Sequence, residues 1–128
     1  MTADSKIDSK LGVLKKRAEF LYVREGAYRA HGGIVIQMRE NPKHSAIRVG
    51  FTATKKIGNA VIRNRAKRRL RELARALLPE YGLIGHDYVF IARDGTTERK
   101  WTALLDDTQK ALITLSKRNS PKSAPGAP

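Results

Sequence analysis

The chain contains no cysteine. That excludes a disulfide framework, a thiolate zinc site and a thiol nucleophile, and it is compatible with a reducing compartment. Acidic residues are few: 12 Asp and Glu stand against 26 Lys and Arg, for a formal net charge of +14 and a sequence pI near 10.6. Long apolar runs are missing too. Nothing approaches the roughly 18 residues needed to span a bilayer, and the first residues carry no signal-peptide core. A soluble, cytoplasmic protein without a membrane partner is expected. The three histidines, His31, His44 and His86, lie far apart with no partner at metal-ligand spacing, so they read as surface or loop residues. Asp106 and Asp107 would point about 100° apart on a helix and read as solvated surface. Gly32-Gly33 lacks the spacing of a phosphate-binding loop and reads as a strand entry or hairpin.

What the chain has is positive charge in one place. At 128 residues and 41% apolar content, it can bury one modest core. Between Lys55 and Arg75 it carries nine Lys or Arg residues and one acid, Glu72. Such density calls for a polyanion, and nucleic acid is the favoured one.

The elements follow from periodicity. Lys15 to Glu25 has the apolar spacing of a short helix stopped by Gly26. Gly33 to Met38 reads as a strand bounded by turn residues, and Ala46 to Thr54 alternates Ile47, Val49, Phe51 and Ala53 against Arg48, Gly50, Thr52 and Thr54. Asn59 can cap a helix that Pro79 ends. On that helix Ile62, Ala66, Leu70, Leu73 and Leu77 share one face, with Arg63, Lys67, Arg71 and Arg75 in a row along its flank. Asp87 to Arg93 is a compact buried strand, and a closing helix from about Thr97 to Lys117 turns Trp101, Leu104, Leu105, Thr108, Leu112 and Leu115 inward.

The fold class is therefore α+β, a single-domain two-layer sandwich in the order α-β-β-β-α-β-α. Its sheet has about four strands with helices packed on it, and a βαβ crossover carries the basic helix. Strand order and oligomeric state are not set by pattern. Residues 1–13 read as a flexible basic arm, residues 14–117 as the domain and residues 118–128 as a disordered tail.

Within the basic stretch, Lys55, Lys56, Gly58 and Asn59 bring two ammonium groups to a helix N-terminus, a setting suited to phosphate. Arg63, Arg65, Lys67, Arg68 and Arg71 extend that charge with guanidinium forks. A solvated helix face is the plain alternative, but surface helices usually mix signs more evenly.

The run K-K-I-G-N-A-V-I-R-N-R-A-K-R-R-L-R-E resembles the signature turn and helix of the bacterial ribonuclease P protein subunit. L-K-K-R-A-E-F-L-Y-V-R-E-G, R-V-G-F-T-A-T and H-D-Y-V-F-I-A-R resemble that family's first helix, the strand before the motif and the last strand, so the likeness spans about Leu14 to Leu115. It implies a protein without catalytic residues of its own. A ribonuclease P RNA subunit would cleave precursor tRNA at the mature 5′ end, with Mg2+ at the RNA active site and no cofactor or metal bound by the protein alone. The RNA subunit would meet Lys55, Lys56, Asn59, Arg63, Asn64, Arg65, Lys67, Arg68 and Arg71. The single-stranded 5′ leader of precursor tRNA would meet Phe20 and Val23 on the first helix and Phe51, Thr52 and Thr54 on the strand. Aromatic faces stack on any base, while small hydroxyl residues admit the backbone. Where some family members carry aromatics, this chain has Arg24 and Gln37, which shifts leader contacts from stacking toward charge. Simple core packing is the alternative for Phe20. From charge alone, a ribosomal or RNA-chaperone protein and a DNA-binding helix also stay open.

Overall fold

The computed structural model describes residues 11–119. The parts of the expected arms at residues 1–10 and 120–128 lie outside the described residues. The elements are β1 (Leu11–Val13), α1 (Arg17–Arg24), β2 (Ala27–His31), β3 (Ile34–Glu40), β4 (Ile47–Thr52), a 3-10 turn (Lys55–Ile57), α2 (Ala60–Tyr81), β5 (His86–Ala92) and α3 (Trp101–Asn119).

The sheet has five strands in the order β1-β4-β5-β3-β2, one more than the four expected. The extra strand is β1, which pairs parallel to β4 with Leu11 opposite Ile47 and Val13 opposite Val49. Its three residues are too short to show alternation, and they belong to the sheet instead of a loose arm. The antiparallel β2–β3 and β3–β5 pairs and the parallel β4–β5 pair complete it. The parallel step is the expected crossover: β4 leads into α2, and α2 returns the chain to β5 beside β4.

The alternation of each strand sorts the sheet into two faces. On one, Ile34, Ile36 and Met38 of β3, Val49 of β4, and Tyr88 and Phe90 of β5 form the main core with α2 and α3. Helix α2 contributes Ala66, Leu70, Leu73, Ala74, Leu77 and Leu78; of the anticipated face only Ile62 is not fully buried, and Ala74 and Leu78 join it. Burying each such leucine is worth about 1.5–3 kcal/mol, and truncating Leu70 to Ala would cost about 2–5 kcal/mol. On the other face, α1 covers a smaller cluster of Leu14, Val23 and Val89. Helices thus lie on both faces of the sheet.

Several boundaries move for local reasons. Pro79 sits inside α2, which runs on to Tyr81. Proline forfeits one backbone bond, but Leu77 and Leu78 just before it are buried and Gly82 N–H closes the last turn on the Leu78 carbonyl at 2.8 Å. Helix α1 starts at Arg17 because Glu19 reaches back to accept the Lys15 and Lys16 amides at 2.8 and 2.9 Å. Helix α3 begins at Trp101, after a turn in which the Glu98 and Arg99 amides bond the Gly95 carbonyl, and it extends to Asn119, two residues past the expected end.

Gly32-Gly33 is a hairpin, as read, with Gly32 in the left-handed region at φ 54°. The carboxylate that clamps it is Asp107. Instead of lying on a solvated surface, Asp107 is 3% exposed and accepts from Gly33 N–H at 3.0 Å and from the Arg99 guanidinium. Burial pushes its pKa up, but those hydrogen bonds outweigh it and hold the carboxyl below its ordinary value. Asp106 is exposed and pairs with Lys110 at 2.9 Å.

Candidate nucleic-acid interface

Two surfaces meet at the segment from Thr52 to Asn59. The first is a cleft of about 660 Å3 between α1 and the sheet. Its floor is built by register: Gly50 lies beside Val89, which lies beside Gln37, and Thr52 lies beside Ile91. Phe20 and Leu21 overhang it from α1, and Lys15, Arg17 and Arg24 give it a basic rim. Gly50 is what lets α1 sit so low, because a Cβ there would come within 2.5 Å of the Phe20 ring. Phe20 is half-buried, so it both packs on the smaller core and presents ring surface to the cleft. Thr52 and Thr54 line the same space.

The other two residues expected in the cleft are elsewhere. Val23 is 0% exposed and supports α1 from beneath with Leu14 and Val89. Phe51 points to the opposite face of the sheet, where its ring meets Phe90 edge-on at 6.2 Å between centroids. The cause is the two-residue period of β4, which sends Phe51 and Thr52 to opposite faces.

A polar network fixes the far wall of α1. Asp87, 0% exposed, accepts both Nε and Nη2 of Arg48 at 2.9 Å, Nδ2 of Asn41 at 3.0 Å, and pairs with Nε2 of His44 at 2.8 Å. Arg48 also reaches Glu19 of α1 at 3.4 Å. Burial pushes the Asp87 carboxyl up; the bonds from Arg48, Asn41 and His44 overcome that and leave it below its ordinary value. The Lys16 and Lys15 amides do the same for Glu19, overriding a smaller burial effect. This network was not anticipated from the sequence, where His44 reads only as a surface or loop histidine and Arg48 only as part of the polar face of its strand. The signal available was Asp87 opening an otherwise apolar strand, which demands a buried partner.

The second surface is the turn and the basic flank of α2. Lys55 and Lys56 are exposed on the 3-10 turn. Asn59 caps α2, its Oδ1 accepting Ile62 N–H at 3.0 Å as anticipated. Asn64, Arg65, Arg68 and Arg71 are exposed, and Arg63 and Lys67 are half-buried. Arg63 Nε is buried without a hydrogen-bond partner among the described residues. An orphaned donor of this kind costs about 1–3 kcal/mol.

Arg69 differs from its neighbours. Its Nη1 donates to the Thr96 and Arg99 carbonyls at 2.7 and 2.6 Å, and its guanidinium lies 5.7 Å from the centre of the Trp101 ring. It ties α2 to the start of α3. Among the described residues, no group of three or more His, Asp or Glu side chains is close enough to hold a metal ion, and no helix is long and apolar enough to cross a membrane.

Comparison with known proteins adds an independent line. Residues 9–116 match the family model described as Ribonuclease P. The chain is 55% identical over 104 residues to the ribonuclease P protein component of Caulobacter vibrioides, covering 80% of this chain and 70% of that one. It is 49% identical over 107 residues to the corresponding protein of Ruegeria pomeroyi, covering 81% and 86%. Among solved structures, the RNase P protein of Staphylococcus aureus matches with a TM-score of 0.68 at 26% identity, over 80% of this chain and 94% of that one. The RNase P protein of Thermotoga maritima matches with a TM-score of 0.68 at 25% identity, over 79% and 94%.

Proposed function

This chain belongs to the ribonuclease P protein family, and from that membership we propose that it binds the catalytic RNA through the turn and basic flank of α2 and the 5′ leader of precursor tRNA through the α1 cleft. It is a protein component of ribonuclease P with a role in tRNA processing. In this reading the RNA subunit, with its own Mg2+, hydrolyses the phosphodiester that joins leader to mature 5′ end, in the cytoplasm. The protein supplies binding energy and position.

The observation that carries the division of labour is the short path between the two surfaces. Thr52 and Thr54 line the cleft, Lys55 and Lys56 follow at once on the turn, and Asn59 opens the basic helix. One rigid strand end thus sets the distance between a substrate strand and a catalytic RNA. In the cleft, Phe20 offers a ring face for one base, Thr52 and Thr54 leave room for the sugar-phosphate, and the Lys15, Arg17 and Arg24 ammonium and guanidinium groups lie along the rim for phosphates. Gln37 stands on the floor in place of an aromatic ring.

The test is reconstitution. Added to a bacterial ribonuclease P RNA at low magnesium, the protein should stimulate cleavage of precursor tRNA; a folded protein that gives no stimulation removes the proposal. If about five phosphates are neutralised, the logarithm of RNA affinity should fall with the logarithm of salt at a slope of roughly −4. Arg65→Ala should weaken association with the RNA subunit, whereas Phe20→Ala should weaken binding of precursor relative to mature tRNA. Equal loss of both steps in both variants would refute the two-surface division.

A further inference from the structure

A second groove, of about 220 Å3, lies on the sheet face opposite the α1 cleft, between β1 and α2. Val49 and Phe51 form its floor, β1 forms one bank, and Arg71, Ala74 and Arg75 of α2 form the other. Val13 sits at its mouth, 56% exposed, on the same face as Val49 by the register of β1 against β4. Phe51 is only partly buried, because its T-shaped contact with Phe90 covers one side of the ring.

A surface that only tracks phosphates has no use for an apolar floor or an exposed valine. A surface that only packs against protein has no use for two guanidinium groups at its edge. Apolar and aromatic area beside a cation suits an unstacked nucleobase with its phosphate. Charge selects that occupant over an apolar peptide, since Arg71 and Arg75 continue the row of Arg63 and Lys67. Glu72, the nearest acid on the same helix, pairs with Arg75 at 3.2 Å, so the two offset each other and Arg71 is the cation assigned to the phosphate.

We propose that one unpaired nucleotide of the catalytic RNA inserts its base into this groove against Val13, Val49 and Phe51, with Arg71 on its phosphate. The inference rests on the RNA-binding role proposed above and adds to it a base-receiving site on the reverse face of β4. Because α2 walls the groove, the same helix would hold RNA phosphates on its flank and one base beneath it.

The experiment uses the full-length protein and a bacterial ribonuclease P RNA, with affinity measured over a range of salt and the Watson–Crick faces of unpaired nucleotides probed chemically in the complex. Val13→Ser should weaken binding by about fivefold or more at every salt concentration without changing the salt slope, because stacking is not a counterion effect. One nucleotide protected by the unmodified protein should become reactive. Arg71→Ala should instead reduce the slope by about one. Val13→Lys separates the alternatives further: a surface that only tracks phosphates binds tighter with the added charge, whereas the base groove, now filled by the lysine, binds more weakly. Val13→Ser with unmodified affinity and protections, or tighter binding by Val13→Lys, overturns the groove. Failure of the unmodified protein to bind the RNA would overturn the functional reading itself, so the two failures are distinguishable.

Discussion

Arg48 and Asp87 face each other on adjacent parallel strands and close two hydrogen bonds, Nε to Oδ1 and Nη2 to Oδ2, each 2.9 Å long. The fork matches carboxylate geometry, and it anchors more than itself. The third guanidinium nitrogen reaches Glu19 on α1, so the helix that overhangs the cleft is tied to the same buried carboxylate.

Asp87 is the one acceptor shared by Arg48, Asn41 and His44, so its removal unties all three. Asp87→Ala should lower the free energy of unfolding by about 3 kcal/mol, measured by urea titration. A double-mutant cycle with Arg48→Met should give a large coupling energy; simple additivity would show that the pair does not act as a unit.

Acid should undo this stabilisation in a defined window. Asp87 and Asp107 both have folded pKa values below the ordinary 3.8. The unfolded chain therefore takes up protons first as pH falls. The contribution is complete above the unfolded value and is lost as pH drops below about 3.8 through the folded values. Thermal unfolding followed from pH 7 to pH 2 should show a plateau and then a steep decline, with Asp87→Asn flattening part of the decline. A decline of unchanged steepness in that variant would count against the assignment.

Gly50→Ala is a test of the cleft that does not touch its chemistry. The new methyl would meet the Phe20 ring at 2.5 Å and Leu14 at 3.0 Å, so α1 must lift or the ring must turn. Leader affinity should fall while binding of the catalytic RNA is preserved, with a loss of stability of about 1–3 kcal/mol. Unaltered leader affinity would detach the cleft from leader binding.

Adjacent arginines on α2 should behave oppositely. Arg69→Ala breaks two hydrogen bonds to carbonyls and should lower the melting temperature with little effect on the salt slope of RNA binding. Arg68→Ala should reduce that slope by about one and leave melting unchanged. The reverse pattern would exchange their roles.

Phe51 and Thr52 give a similar contrast on β4. Phe51→Leu should reduce stability by about 1 kcal/mol and spare leader binding, whereas Thr52→Arg should alter leader binding and spare stability. Leader titrations beside melting curves separate the two.

The period that separates them was legible from the start. Ile47, Val49 and Phe51 alternate with Arg48, Gly50 and Thr52 in the bare sequence, and that alternation already puts Phe51 with the core. Carrying it into the cleft followed the family likeness against the strand period. The amphipathic faces of α2 and α3, the Asn59 cap and the βαβ crossover were readable because each rests on local spacing. What escaped reading depends on distant partners. β1 is three residues long and is defined only by β4, and β2, counted in the expected order but given no bounds, is an exposed edge strand with no apolar alternation. Asp107 looks like surface until Gly33 and Arg99 are brought to it, and Arg69, which is not among the expected RNA contacts, has no visible role until the start of α3 is in place. Val23 fits a helix face, but only the packed sheet shows that this face is closed.

The order of the strands also bears on how the molecule can be made. β3 and β4 follow one another in the chain but never touch, because β5 lies between them. Until His86 to Ala92 leaves the ribosome, neither strand has its main neighbour, and α2 has no complete sheet to cover. The basic helix is therefore synthesised before the sheet that its apolar face covers is complete, and the α1 cleft, whose floor includes Val89 and Ile91 of β5, is incomplete until then. A nascent chain halted before β5 should lack the complete cleft.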